Sequence, residues 1–372
     1  MKTVQKIQNS TNSRDIFNDF ISKRIPFTFE HKDQIVDLNY DKVVKKRSLL
    51  KKNVKVEGNR VVTFNEFLEK KEFYLNTQYS TEDSDNLRAI IQTPLLEFLS
   101  EFRVRPDIIG NLVPRQYTLW LGFEDKQQKS SGLHHDFHDN LYIVLEGVKK
   151  FRIYSPKEIS KIYIKGEKSL DKIHDNGLIS YCLGTRGDGA RQEEVLAWKL
   201  QELESCPDSP KKEEEIEAVL EALLEIQSND YDENSDENSD ENSDENLPNK
   251  RIKFTQEQDT ELNFSRIADT SNNDIIEKHF SKFKKAKYYD VVLEKGDGLF
   301  LPAGWFHEVW SFGAANDPVR VHMAMNYWMA PPTQKDYDKP YEDGFWEFKF
   351  NEFLQELKAF EESLNRSVDL GR

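Results

Sequence analysis

Two cysteines, Cys182 and Cys206, are all that the 372 residues contain. That is too few for a disulfide scaffold or a cysteine-rich zinc module, and it suits a reducing compartment, cytosol or nucleus. No apolar run reaches the roughly 18 residues that a membrane-spanning helix requires, so no membrane partner is expected. The opening residues, MKTVQKIQNSTNSRD, lack the apolar stretch of a secretory leader. A phosphate-cradling glycine motif is missing too: Gly296-Asp297-Gly298 runs into a strand-like segment, not a helix. The length allows one large domain or two ordinary ones, with a sizeable core.

The net charge of −15 is unevenly spread. Between Lys211 and Asn246 stand 15 acidic residues against 2 lysines, a local charge of −13, which leaves −2 for everything else. The bulk of the chain is therefore nearly neutral, and overall charge carries no nucleic-acid signal. The one basic run, Lys42 to Lys55, holds Lys45, Lys46, Arg47, Lys51 and Lys52. It reads either as a solvated face or as a nuclear address or anion-binding patch.

The acidic stretch ends in a tetrapeptide repeat, DENSDENSDENSDEN from Asp232 to Asn246, with no apolar residue. Such a segment cannot bury enough surface to offset its ordering entropy, so disorder is expected there. Just before it, KKEEEIEAVLEALLEIQ spaces Ile216, Val219, Leu220, Leu223, Leu224 and Ile226 as an amphipathic helix. Helix and repeat together read as an insertion, at about 191–260, between strand-rich segments at Gln116–Tyr154 and Tyr288–Met329. Short helices are expected at Phe17–Ile25 and Phe64–Lys71, a longer one from an N-cap at Ser84 to Phe102, and a terminal amphipathic helix at Phe345–Leu364. The pattern predicts a mainly β fold with flanking helices rather than a doubly wound α/β sheet. The expected division is an N-terminal helical or mixed part at 1–110, a β core at 111–346 carrying the insertion, and a C-terminal helix at 347–372.

The densest chemistry lies in Ser131-Gly-Leu-His134-His135-Asp136-Phe-His138-Asp139-Asn140. In extended chain, residues two apart share a face, so His134 and Asp136 point together and His135 points away, outward or toward a substrate opening. His138 offers an alternative Asp-x-His pair with Asp136. Further on, NLYIVLEGVKKFRIY reads as two strands joined near Glu146-Gly147. Lys149 falls on the apolar side of the second, with Phe151 and Ile153. An ammonium there must snorkel out, lose its charge or meet an anion such as a ligand carboxylate. A third element, GDGLFLPAGWFHE, delivers His307 inward on the face it shares with Trp305 and Val309. Two histidines and one carboxylate form the facial ligand set of non-haem Fe(II) oxygenases, although zinc accepts the same three. Lys149 favours iron, since a chelating 2-oxo acid needs a cation for its distal carboxylate.

The motifs His134-x-Asp136, Asn140, Gly147-x-Lys149, Pro302-x-x-Trp305-x-His307 and Asn326-Tyr-Trp328 together resemble the jumonji-C (JmjC) branch of the Fe(II)- and 2-oxoglutarate-dependent oxygenases. Their order and local spacing are similar to those of its small cupin-like hydroxylases, over roughly Asp15 to Trp346. The resemblance implies a double-stranded β-helix, the cupin jelly-roll, with the metal in one mouth of the barrel. It implies Fe(II) bound by His134, Asp136 and His307, with 2-oxoglutarate and O2 as co-substrates. Lys149 would hold the distal carboxylate, aided by the Ser131 hydroxyl. Asn140 and Asn326 match amides lining the same pocket. Tyr74 matches a tyrosine that reaches the carboxylate, with Tyr79 as its competitor. One departure is the 158-residue gap from Lys149 to His307, which the insertion causes. His322 reads as a core or supporting residue, and Trp120, Trp305, Trp310 and Trp328 as core.

The resemblance further implies a protein hydroxylase, with a basic substrate one reading of the acidic insertion. A tRNA-modifying hydroxylase, a histone demethylase and a non-catalytic interaction module stand as alternatives. Nucleic acid is less favoured, because RNA binding calls for a basic surface.

Overall fold

The computed structural model describes residues 3–8, 10–31, 35–76, 87–124, 130–232 and 262–369. The repeat from residue 233, Tyr79 and Ser84 lie outside them. In chain order the strands are β1 Gln5–Lys6, β2 Phe27–Glu30, β3 Asn53–Val56, β4 Arg60–Thr63 and β5 Leu75–Asn76. There follow β6 Pro114–Phe123, β7 His134–His135, β8 Asp139–Glu146, β9 Val148–Tyr154, β10 Lys172–Ile173 and β11 Ile179–Ser180. The last four are β12 Tyr288–Glu294, β13 Asp297–Leu301, β14 Phe306–Phe312 and β15 Val321–Met329.

Alternation of side chains along these strands builds two facing sheets. The larger has nine strands, ordered β1-β2-β13-β8-β15-β6-β5-β3-β4, and the smaller has four, ordered β12-β9-β14-β7. Tyr142, Val144 and Leu299 of the larger sheet meet Phe151, Ile153 and Leu293 of the smaller in one buried cluster, the filling of a cupin-type sandwich. Strands β1 to β5, from the N-terminal part, join the larger sheet, so that part is continuous with the β core. A second apolar layer lies outside it, where Phe345, Trp346, Phe350, Phe353 and Leu357 of the helix Phe345–Asp369 are buried. The ring of Phe353 stacks on Tyr117 of β6.

Several sequence expectations are met within a residue or two at their ends, as at Phe64–Lys70, where Thr63 caps the first turn. The N-terminal helix begins four residues early, at Ser13 under an Asn12 cap, and ends as a π-turn at Phe17–Ile21. The long helix ending at Phe102 is not formed. The described chain there has one turn at Leu87–Ile90 and a kinked 3-10 segment at Leu95–Glu101. Pro94 lies between them, and a proline inside a helix removes a backbone donor and collides with the preceding turn. The insertion opens with two helices, Gln192–Ser205 and Pro210–Asp232, packed on each other. Trp198 of the first lies edge-on to Phe345, which seats the pair against the C-terminal helix.

Candidate metal centre

Register brings the two histidines together. In the antiparallel pair β14–β7, His307 stands directly opposite His134, and their ring centroids are 4.3 Å apart. Asp136, just past β7, shares the His134 face. Its Oδ1 lies 3.7 Å from His134 Nε2 and its Oδ2 3.4 Å from His307 Nε2. Among the described residues these three form the one group whose ligand atoms could hold a metal ion, all within 4.8 Å of one another.

The far side of each ring fixes its tautomer. His134 Nδ1 is 2.9 Å from the Gly132 carbonyl and His307 Nδ1 3.1 Å from the Trp305 carbonyl. A carbonyl only accepts, so each Nδ1 carries the proton and each Nε2 turns a lone pair inward. Burial, then the neighbouring His134, draws the His307 pKa down to about 4, which keeps that ring neutral. Asp136 Oδ2 is buried and receives no hydrogen bond. Two lone-pair nitrogens and a carboxylate thus face each other with no donor between them, an arrangement that is repulsive without a cation. The donor set fits a divalent metal.

Two turns aim these side chains. Ala303 N–H donates to Asp139 Oδ1, and Gly304 N–H donates to the Asp136 carbonyl at 3.0 Å, tying the His134-x-Asp136 segment to the Pro302–Trp305 turn. Gly304 has φ +78°, and a Cβ there would lie 1.9 Å from the Gly177 carbonyl oxygen. Asp139 is fully buried and forms a two-pronged ion pair with Arg24, a partner from another element that the motif gives no hint of.

Side chains of seven strands, β5 to β9, β14 and β15, line a cavity of about 550 Å³ that includes the triad. From the larger sheet come Trp120, Asn140, Tyr142, His322, Asn326 and Trp328, and from β14 come His307, Val309 and Ser311. Asn326 Nδ2 donates to Asn140 Oδ1 at 2.9 Å, and Trp120 Nε1 donates to Asn326 Oδ1 at 2.7 Å. Both predicted amides therefore sit in the wall of one pocket. Trp328, a buried core residue, and Trp120, packed against the core between the sheets, line it as well.

Lys149 is fully buried, behind the cavity-lining side chains of Tyr74, Ser311 and His322. Its Nζ donates to Ser311 Oγ at 2.6 Å and Tyr74 Oη at 3.4 Å, and lies 3.3 Å from His322 Nδ1. Desolvation pulls its pKa down to about 7. Tyr74 thus lies beside Lys149, whereas Ser131 lines the cavity elsewhere. The Ser131 hydroxyl accepts from Val309 N–H and donates to the Gly132 carbonyl. Ser311 takes the place expected of it because it is the cross-strand neighbour of Lys149 in β14–β9. His135 is also corrected: it is buried, with Nε2 2.8 Å from Tyr181 Oη and the ring edge-on to Phe306. Apolar partners on its own face draw it inward. His138 faces Arg115 at 3.4 Å and takes no part in the triad.

A family model described as a cupin-like domain matches residues 3–335. JmjC domain-containing protein 4 of Schizosaccharomyces pombe is 34% identical over 332 residues, 74% of this chain and 69% of the relative. tRNA wybutosine-synthesizing protein 5 of Gallus gallus is 43% identical over 61 residues, 16% of this chain and 19% of that protein.

Proposed function

Since the chain belongs to the family of cupin-like domains, with a JmjC protein among its relatives, we propose that it is an Fe(II)- and 2-oxoglutarate-dependent dioxygenase. Its proposed reaction is hydroxylation of a C–H bond in a protein side chain. The carrying observation is the acceptor-only trio of His134, Asp136 and His307, whose inward lone pairs call for a cation. Zinc would satisfy the same ligands. The buried ammonium of Lys149, in contact with the cavity-lining Tyr74, Ser311 and His322, favours iron with a dicarboxylic oxo acid.

When bound, iron and 2-oxoglutarate supply the oxidising power for O2-dependent hydroxylation, with release of succinate and CO2. The protein's residues do the rest. His134, Asp136 and His307 would hold the metal beside the cavity. Lys149, supported by Ser311, Tyr74 and His322, neutralises the distal carboxylate. The Asn140–Asn326 amide pair lines the wall between, and Trp120, Tyr142 and Trp328 exclude water.

A protein substrate suits the surface better than RNA. Three cations of the basic run are ion-paired: Lys42 with Asp37 and Glu101, Lys45 with Asp41, and Lys52 with Glu97. The acidic helix Pro210–Asp232 favours a basic protein substrate by long-range attraction. Both cysteines are free thiols, in keeping with a cytosolic or nuclear location. Among the described residues no helix is long and apolar enough to cross a membrane.

The test is succinate release from 2-oxoglutarate with Fe(II) by wild type, His134→Ala and Lys149→Ala. Wild type is expected to turn over, and both variants to fall by about a hundredfold or more, at or beyond the loss typical of a disturbed metal site. Equal rates in all three would sink the assignment.

A further inference from the structure

The chain leaves the core through the acidic insertion, and the first described segment beyond residue 261 enters the metal site. His134 pairs with Phe264 across an antiparallel bridge. Around that bridge His135 N–H donates to the Asn263 carbonyl at 3.2 Å, Ser265 N–H to the Leu133 carbonyl at 2.7 Å, and Asn263 Nδ2 to the His135 carbonyl at 2.6 Å. The other edge of the segment is held as firmly. Lys165 N–H donates to the Phe264 carbonyl at 2.7 Å, Gly166 N–H to the Leu262 carbonyl at 3.0 Å, and Arg266 N–H to the Tyr163 carbonyl at 2.9 Å.

Opposed residues of an antiparallel pair project to the same face. The Phe264 ring accordingly lies flat on the His134 imidazole, with centroids 4.8 Å apart and planes 15° from parallel, and it also lines the cavity. Of the two metal-facing histidines, His307 is nearly buried between sheets, whereas His134 keeps 15% of its side chain exposed. One hydrogen bond, Nδ1 to the Gly132 carbonyl, still permits the ring to swing about that contact. The stacked phenyl ring removes this freedom from one side, as an offset aromatic pair does.

We propose that Phe264 is a positioning residue of the metal centre, and that the strand returning from the acidic insertion is the clamp that holds it against His134. The inference rests on reading His134 as a metal ligand. It makes the insertion's C-terminal anchor, Leu262–Arg266, part of the site: whatever loosens this strand loosens the metal.

Metal-stripped full-length protein titrated with Co(II), followed by visible absorption, tests this without turnover. Phe264→Ala is expected to weaken Co(II) binding about tenfold, the lower end for a lost supporting contact around a ligand histidine, and to alter the absorption band. Phe264→Tyr keeps the ring and should restore wild-type binding, whereas Phe264→Leu, similar in apolar bulk but without a plane, should lie between. Asn263→Ala leaves the ring and loosens its strand, and should shift binding the same way. Should Phe264→Ala not fold, as judged by circular dichroism, the leucine and tyrosine variants decide. Wild-type affinity and spectrum in the alanine or leucine variant would overturn the clamp alone. Failure of wild type to bind Co(II) would instead overturn the metal reading beneath it.

Discussion

Lys149 shows how one residue can set the terms for a ligand. Its three polar neighbours, Ser311, Tyr74 and His322, are uncharged groups, and no carboxylate lies within hydrogen-bond distance of Nζ among the described residues. Burial therefore works unopposed and lowers its pKa to about 7. The same burial, reinforced by the lysine's charge, holds His322 well below the usual imidazole range, so His322 stays neutral and accepts. An incoming carboxylate reverses the balance by favouring the ammonium, and raises the lysine pKa in the complex. The sign follows. Below pH 7 the lysine is charged before binding, and affinity for 2-oxoglutarate should be flat. Above pH 7 the site must first take up a proton, so affinity should fall by about tenfold per pH unit until the pKa of the complex is reached. Calorimetric titration of the Mn(II)-loaded protein from pH 6 to 8.5 checks this; a flat profile throughout would show that Lys149 stays charged when empty. The placement of the lysine on an apolar face was legible, because period-two alternation is local. That Ser311 rather than Ser131 supports it was not, because register between β9 and β14 belongs to the folded sheet and both serines lie near suitable motifs.

At the scale of elements, the site is a product of alternation plus two turns. His134 and Asp136, Lys149 and Phe151, His307, Val309 and Ser311 each take the inward positions of their strands, and this much can be read along the string. What locks the strands to each other cannot. Asp139 reads in sequence as one more polar residue after the histidines, yet it is fully buried and bridges Arg24 to the backbone of Ala303. Its carboxylate thus joins the segment carrying His134 to the turn carrying His307. Asp139→Ala would leave the Arg24 guanidinium, 12% exposed, without its partner and free the turn at the same time. The expected cost is about 3–5 kcal/mol, the usual penalty for removing one member of a buried pair, seen as a lower urea midpoint. Arg24→Ala should cost a similar amount, and the double variant clearly less than the two combined. Additive losses would mean that the two residues act independently. The failed expectation of a long helix ending at Phe102 has the same local origin in reverse: the apolar spacing was helical, and Pro94 outweighed it.

At the scale of the molecule, charge is segregated. The insertion takes nearly all the net negative charge, and this was plain from composition; its amphipathic helix was plain from spacing. The return strand was not, since LNFSRI has no unusual residue and gains its meaning only by lying beside His134. The basic run is the converse case, a feature conspicuous in sequence that the fold quietens. Lys42, Lys45 and Lys52 spend their charge on nearby carboxylates, and Lys46 lies over the Phe98 ring, so few free cations are left to replace counterions on a nucleic acid. Affinity for RNA scales with the number of phosphates neutralised, and the acidic insertion opposes approach at any distance that salt does not screen. Binding of bulk tRNA at 0.15 M salt should therefore be weaker than about 10⁻⁵ M, within the non-specific range, and replacing Lys46, Arg47 and Lys51 by glutamine should leave it unchanged. Filter binding across a salt series measures both. Micromolar or tighter binding with a steep salt slope, lost in the triple variant, would move the substrate from protein to RNA while leaving the metal centre's chemistry as proposed.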